Sequence, residues 1–261
     1  MSGWTALVLA GSRPGRDAFA QSHGTDLKAL IPVGGQPMVR RPVTALLSSG
    51  WIAAVRVLAQ QPERIGAVLP ADPRLVVEPS GATIAATLER ACADPAIAWP
   101  VLVTTADHAL LDAAMIDDFC SRSAEADIAL AIVERRALLQ RLPATRRTWI
   151  RFGGGAYSGA NLFMLKSPRA ASAIELWRSV EQDRKKGWRL LWTMGPALFL
   201  GAALRLLTLD QALRRIGARL GLDVRAVEMA DPLAAVDVDK PADHALVEAI
   251  LAERQSLEGR E

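Results

Sequence analysis

Short apolar runs rich in β-branched residues recur along the chain at residues 5–10, 52–59, 75–77, 101–105 and 128–133. Amphipathic segments with helical periodicity lie between them, at 37–49, 82–93 and 113–124. Strands that alternate with helices in this way predict parallel strands joined by crossover helices, a doubly wound α/β sheet. Ligands of such sheets bind at the carboxyl ends of the strands. The residues just past each strand are therefore the first candidates for function.

After Val133 the rhythm changes. Residues 148–152 and 161–165 read as two strands about the turn Gly153-Gly154-Gly155, and helical segments follow from Pro168 to about Leu220. Two further short strands are expected at 224–228 and 234–238, ahead of a closing helix that starts at Pro241, where proline suits a first helical turn. With no internal repeat and no low-complexity linker, the chain is expected to form one domain. Its first half is 1–133, its second half 134–253, and a flexible polar tail, 254–261, ends it.

Composition alters this picture little. Of the 261 residues, 51% are hydrophobic and 23% charged, ordinary for a soluble globular protein. The net charge of +3 is spread along the chain and lacks the dense basic stripe of a nucleic-acid binder, so no nucleic acid is expected as partner. Arg135/Arg136, Arg146/Arg147 and Arg184/Lys185/Lys186 read as solvated faces. Cys92 and Cys120 lack metal-ligand spacing and read as buried, reduced thiols of a cytosolic protein. Without a secretory signal at the N-terminus, the expected location is the cytoplasm.

The most hydrophobic window, 187–209, is bracketed by Arg189 and Arg205 and broken by Gly195-Pro196, which leaves its apolar run short of the ~20 residues a span needs. Two readings stand: a broken helical pair packed on the core, or a peripheral membrane or partner contact with Trp188 and Trp192 at the interface.

The first strand runs out into Leu9-Ala10-Gly11-Ser12-Arg13-Pro14-Gly15-Arg16, and hydrophobicity returns only at Ala29. Loops this long are uncommon inside compact domains unless they are functional or disordered. Glycine lets backbone N–H groups approach a ligand, successive free amides form an anion-binding nest, and arginine adds charge-assisted bonds to phosphate. The stretch is neither a P-loop nor a GxGxxG turn. Taken alone it also fits an ordinary surface loop.

Lys28 comes next, in Leu27-Lys28-Ala29-Leu30-Ile31-Pro32-Val33-Gly34-Gly35-Gln36-Pro37-Met38. A strand, Leu-Ala-Gly, an arginine-bearing loop and Lys-Ala-Leu-x-Pro-x-x-Gly-x-Pro-Met together resemble the opening signature of the nucleotidyltransferases: the MobA-like, sugar-phosphate and isoprenoid-precursor cytidylyltransferase group. Two later stretches are similar to the same group. Val103-Thr104-Thr105-Ala106-Asp107-His108 ends a strand with a carboxylate, and Asp237-Val238-Asp239-Lys240-Pro241-Ala242-Asp243 looks like the group's Asp-x-Asp-x-Pro-x-Asp segment.

The resemblance implies a three-layer α/β/α Rossmann-like, GT-A-like nucleotidyltransferase fold, with a mostly parallel central sheet and an antiparallel strand. It implies Mg²⁺ on Asp107 and Asp239, and Arg16, Lys28 and Asp107 as catalytic residues. Nucleotide contacts would come from Leu9, Ala10, Gly11, Ser12, Arg13, Gly15, Glu78, Gly81, Ala82, Thr83 and Ala106. Ser158-Gly159-Ala160-Asn161-Leu162-Phe163 resembles the acceptor strand, so Gly159, Asn161 and the nearby Arg147 are assigned to a phosphorylated acceptor. The first half then serves the nucleotide and the second the acceptor.

The chemistry is consistent with that reading. Mg²⁺ commonly keeps one or two carboxylates and takes its other ligands from water and substrate phosphate. Arg13, Arg16 and Lys28 place positive charge where a triphosphate crowds negative charge, and no side-chain nucleophile is needed when an acceptor phosphate attacks directly. Each residue also has a structural role open to it. Asp107 and Asp239 could cap helices, and 81–83 could be a plain helix N-terminus.

The chain departs from the group in GSRPGR, which leaves Arg13 and Arg16 both open as the phosphate arginine, in Ala109 where proline is usual, in Lys240 for threonine, and in the apolar insertion. The expected function is an Mg²⁺-dependent coupling of an NTP, with CTP favoured over GTP by Asp-x-Asp, to a sugar-, polyol- or alcohol-phosphate, releasing pyrophosphate. The alternatives are guanylyl transfer to molybdopterin, a GT-A glycosyltransferase, and a non-catalytic nucleotide-binding or membrane-associated regulatory protein.

Overall fold

A computed structural model describes residues 3–11, 15, 17–181 and 206–258. From the N-terminus run β1 (Trp4–Ala10), α1 (Ala18–Ser22), β2 (Pro32–Val33), β3 (Gln36–Pro37), α2 (Arg40–Ser48) and β4 (Ile52–Ala59). Then come α3 (Pro62–Gly66), β5 (Leu75–Pro79), α4 (Ile84–Cys92), β6 (Val101–Thr105), α5 (Ala113–Ser123) and β7 (Ile128–Glu134). The remaining elements are α6 (Arg135–Arg141), β8 (Ile150–Phe152), β9 (Gly155–Leu165), α7 (Ala171–Glu181), α8 (Leu209–Leu220), β10 (Val224–Glu228) and α9 (Pro241–Glu258). The fold is α/β, its sheet mostly parallel with some antiparallel strands, as expected.

Two compact units are each assembled from separated stretches of chain. The first comprises Met1–Ser80, Val103–Asp117 and Val236–Glu261, and the second Gly81–Leu102 and Asp118–Ala235. In the first unit β1 pairs in parallel with β4, from Thr5↔Ala54 to Ala10↔Ala59, and β4 pairs in parallel with β5. Six of the seven β1 residues are buried, the near-continuous apolar run of a parallel strand covered on both faces. Its neighbour α2 buries Pro42, Val43, Ala45 and Leu46 at helical spacing. In the second unit β7 is parallel to β10 and antiparallel to β9, which forms a hairpin with β8.

Local chemistry moves several expected boundaries. The helix expected from Pro37 starts at Arg40, because Pro32↔Pro37 and Val33↔Gln36 pair as a ribbon about Gly34 and Gly35, at φ +59° and +75°. Part of the long first loop is helical: Asp17 accepts hydrogen bonds from Phe19 N–H and Ala20 N–H, at 3.0 and 3.1 Å, and caps α1. The strand expected to begin at Asn161 begins at Gly155, since Gly155 and Tyr157 pair with Phe152 and Ile150.

The strand expected at 234–238 does not form. Asp231 accepts from Leu233 N–H at 2.8 Å and starts a 3₁₀ turn, Pro232–Ala235. Beyond that turn the backbone is irregular, although Val236 and Val238 are buried on the expected alternation. The closing helix starts at Pro241 as expected but runs through the first residues of the anticipated tail. Arg254, on its last turns, lies 3.5 Å from the Asp112 carboxylate.

Candidate active site

In the first unit the ends of β1 and β6 lie together, with Ala106 N–H donating to the Leu9 carbonyl at 3.0 Å. Lys28 opens a 3₁₀ turn, Lys28–Leu30. Buried Ala29 anchors this turn by accepting from Val39 N–H at 3.0 Å, while Ile31 accepts from Met38 N–H at 2.9 Å. A depression results, lined by Leu9, Ala10, Gly11, Lys28, Ala29, Met38, Ala106 and Asp107. Its floor is apolar, and the polar groups that converge on it are charged.

The Lys28 ammonium donates to Asp107 Oδ2 at 2.6 Å and to Asp239 Oδ1 at 2.5 Å. The lysine side chain is 22% exposed, that of Asp107 19% and that of Asp239 64%. Thr105 Oγ donates to the other oxygen of Asp107, Oδ1, at 2.6 Å. Val238 N–H donates to the Asp107 carbonyl at 3.0 Å, and Asp239 N–H donates to Asp243 at 3.2 Å. Burial is the largest single influence on Lys28 and disfavours its charge. The attraction of Asp107 and Asp239 outweighs it, so the ammonium is held above its ordinary pKa.

The donors fit Mg²⁺. Two carboxylate oxygens converge on one small cation, and hard oxygen donors of this kind, two from protein and the rest from water and phosphate, are the set Mg²⁺ takes. Among the described residues no group of three or more histidine, cysteine or acidic side chains is gathered.

Of the expected site residues, the fold brings together Leu9, Ala10, Gly11, Lys28, Ala106, Asp107 and Asp239. Ser12, Arg13 and Arg16 lie outside the described residues, as does 187–205 of the apolar window. The described end of that window holds buried Leu207, with Thr208 capping α8. Among the described residues no helix is long and apolar enough to cross a membrane. Gly15 is exposed, at φ +111°. The Glu78 carboxylate lies 3.5 Å from the Arg56 guanidinium.

Within the second unit, Gly81 N–H donates to Thr87 Oγ at 2.9 Å and Thr83 caps α4 by accepting from Ala86 N–H at 3.1 Å; Ala82 is exposed. The capping role open to this segment in the sequence is thus in use. Arg147 is half-buried and Gly159 exposed. Asn161 sits at φ +49° where the register of β9 slips against β7, from Leu130↔Phe163 to Ile132↔Gly159. Such bulges re-aim side chains, and asparagine tolerates the left-handed region.

Two contributions are not among the residues expected from sequence. Thr105 reads there as part of a strand, although a hydroxyl two residues before a strand-end carboxylate is a local signal for positioning it. Phe19 of α1 and His23, which follows its last residue, meet His244 of α9, with the two imidazole centroids 4.7 Å apart and His244 Nε2 2.7 Å from the Pro32 carbonyl. No sequence signal links positions so far apart. His108 is buried, and its Nδ1 lies 3.4 Å from Thr104 Oγ.

A mostly parallel sheet that sets a strand-end carboxylate, with a second carboxylate from the segment before the last helix, against one lysine is the frame of an enzyme that transfers nucleotidyl groups, a nucleotidyltransferase. The chain belongs to the MobA-like NTP transferase family, whose domain model matches residues 6–224. Comparison with curated proteins gives no match.

Among solved structures, a hypothetical transferase of Thermus thermophilus is 29% identical, with a TM-score of 0.78, and the match covers 93% of this chain and 99% of that one. The 4-diphosphocytidyl-2C-methyl-D-erythritol synthase of Anaerococcus prevotii is 10% identical at a TM-score of 0.61, over 96% of each chain. A CMP:2-keto-3-deoxy-manno-octonic acid synthetase complexed with CTP is 12% identical at 0.59, over 97% and 100%. The last two share the fold.

Proposed function

We propose that the enzyme is Mg²⁺-dependent and joins an NTP, with CTP the first choice, to a phosphorylated small acceptor. The observation that carries this reading is the convergence of Asp107 and Asp239 on Lys28 beside the open end of β1. In the reaction an acceptor phosphate oxygen forms a bond to the α-phosphorus. The bond from that phosphorus to the bridging oxygen breaks, and its electron pair leaves with pyrophosphate. Mg²⁺, when bound, supplies charge neutralisation for the triphosphate.

The chain's own groups do the rest. Gly11 leaves room for close approach of a phosphate, the Lys28 ammonium provides a mobile positive charge, and Thr105 holds Asp107 in orientation. In this reading residues 1–133 serve the nucleotide, with Arg13 or Arg16 on phosphate and Gly81, Ala82 and Thr83 at the base. Residues 134–253 serve the acceptor through Arg147, Gly159 and Asn161. The choice of CTP rests on Asp237-x-Asp239, where an Asn-x-Asn would point to guanylyl transfer.

Pyrophosphate release from each of the four NTPs, with Mg²⁺ and a panel of sugar, polyol and alcohol phosphates, tests the proposal. Turnover with CTP and one such acceptor supports it. Turnover only with GTP and molybdopterin, hydrolysis of UDP-sugars, or nucleotide binding without any turnover would each replace it with a rival.

A further inference from the structure

We infer that Lys28 holds the metal position closed until a nucleotide arrives, so that the cation enters the site only together with a triphosphate. The inference rests on the reading of Asp107 and Asp239 as the metal carboxylates and adds the regulation of that same site.

The Lys28 nitrogen stands 2.6 Å from Asp107 Oδ2 and 2.5 Å from Asp239 Oδ1. A Mg²⁺ ion bound by the same two oxygens, at ~2.0–2.1 Å, would take the place the ammonium holds. Two cations at that separation repel strongly, so ammonium and metal are alternative occupants of one position. The lock is firmest at Asp107, whose second oxygen is tied down by Thr105 and whose pairing with Lys28 is mostly shielded from solvent. Screening weakens such a pair less than it weakens a surface one. Asp239, more exposed, is the softer jaw.

Free metal must therefore displace a paired ammonium before it gains two carboxylates. A triphosphate changes this balance because it offers Lys28 another anion and carries the metal with it. The lysine has four flexible methylenes and can turn to phosphate from an unmoved backbone. Buried Ala29 and its bond from Val39 keep the turn in place meanwhile. Because such coupling is reciprocal, metal and nucleotide strengthen each other's binding by the same factor.

Mn²⁺ is the probe, followed by the electron paramagnetic resonance signal of the free ion. It is titrated into wild type and Lys28→Gln, without nucleotide and with the non-hydrolysable methylene analogue of CTP or of GTP, against analogue-only controls. The expected result is that wild type binds Mn²⁺ about tenfold more tightly with an analogue than without. Lys28→Gln should bind Mn²⁺ without nucleotide about tenfold more tightly than wild type does, and its further gain from the analogue, whose phosphate oxygens still supply metal ligands, should be smaller than the wild-type gain.

Equal nucleotide-free affinities in the two proteins overturn the role of Lys28. Asp107→Asn separates this from failure of the underlying reading. If Mn²⁺ binding in the presence of analogue ignores Asp107→Asn, the metal assignment itself is wrong. If Asp107→Asn abolishes it while Lys28→Gln behaves as wild type, only the lock is wrong. Circular dichroism verifies the fold of each variant. Should Lys28→Gln not fold, wild-type Mn²⁺ affinity that is unchanged by either analogue still overturns the inference.

Discussion

Val238 donates its backbone N–H to the carbonyl of Asp107 at 3.0 Å, and this one bond ties the strand-end aspartate in the middle of the chain to the aspartate that precedes the last helix. Asp239, one residue on, then shares Lys28 with Asp107. The two carboxylates therefore act as a unit, and changes to either should register at the other.

Asp107→Asn should lower turnover about a hundredfold or more, as expected when a charged group at the reacting phosphates is lost. The fold should survive, because the neighbouring backbone bonds do not use this side chain. Pyrophosphate release alongside far-ultraviolet circular dichroism measures both, and near-normal activity would contradict the assignment.

Thr105→Val removes the hydroxyl that holds Asp107 Oδ1 at 2.6 Å. A hydrogen bond to a charged group contributes ~1.5–3 kcal/mol, so kcat/KM should fall about tenfold or more. The apparent affinity for Mg²⁺ should weaken alongside it. Thr105→Ser, which restores the donor, should recover most of both; a purely packing role for Thr105 predicts no such rescue.

Gly34 and Gly35 both take positive φ, at +59° and +75°, yet their surroundings differ. A β-carbon on Gly34 would lie 2.8 Å from Arg41 Nη1 and 3.0 Å from Leu251 Cδ1, whereas one on Gly35 would meet nothing within 4 Å. Gly35→Ala should cost ~1 kcal/mol, the left-handed backbone penalty alone. Gly34→Ala should cost clearly more. Urea denaturation gives the two values, and equal costs would show that the arginine yields freely.

Lys28 is held above its ordinary pKa of 10.5. Its pairs therefore contribute stability in full below pH 10.5, and the contribution fades as pH rises through the raised value. The stability gap between wild type and Lys28→Gln should be flat from neutral pH to about 10 and shrink above it. Urea midpoints across that range read the trend; a gap that widens with alkalinity has the wrong sign for this pairing.

Burial pushes the Cys92 thiol up to about 11. Its thiolate fraction at pH ~8 is then about a hundredfold below that of an ordinary cysteine. Ellman-type modification in the native state should be correspondingly slow, and should speed up on unfolding. Rapid native labelling traced to Cys92 would show that the helix opens.

The central strands are legible in the sequence because their cause is local. Residues 52–59 and 101–105 are largely apolar runs, and 224–228 is a short stretch of valines set between charged residues; all three form strands at those bounds. Residues 234–238 carry an alternation just as plain, but Asp231 and Pro232 start a 3₁₀ turn ahead of it. A competing side-chain bond, invisible in the periodicity, decides that case. Asn161 shows a related limit: its residue type is evident from the motif, but not the bulge that gives it a left-handed backbone.

The sequence by itself determined the α/β class and the family, and it singled out Lys28, Asp107 and Asp239 as candidates, because short motifs are read from neighbours in the chain. Only the tertiary structure decided that one ammonium bridges both aspartates, that Thr105 steadies one of them, and that Phe19 of α1 and the adjoining His23 meet His244 of the last helix. The lysine's two partners lie 79 and 211 positions away along the chain. Distances of 2.5 to 2.6 Å across such separations come from how strands and turns pack, which no local pattern encodes.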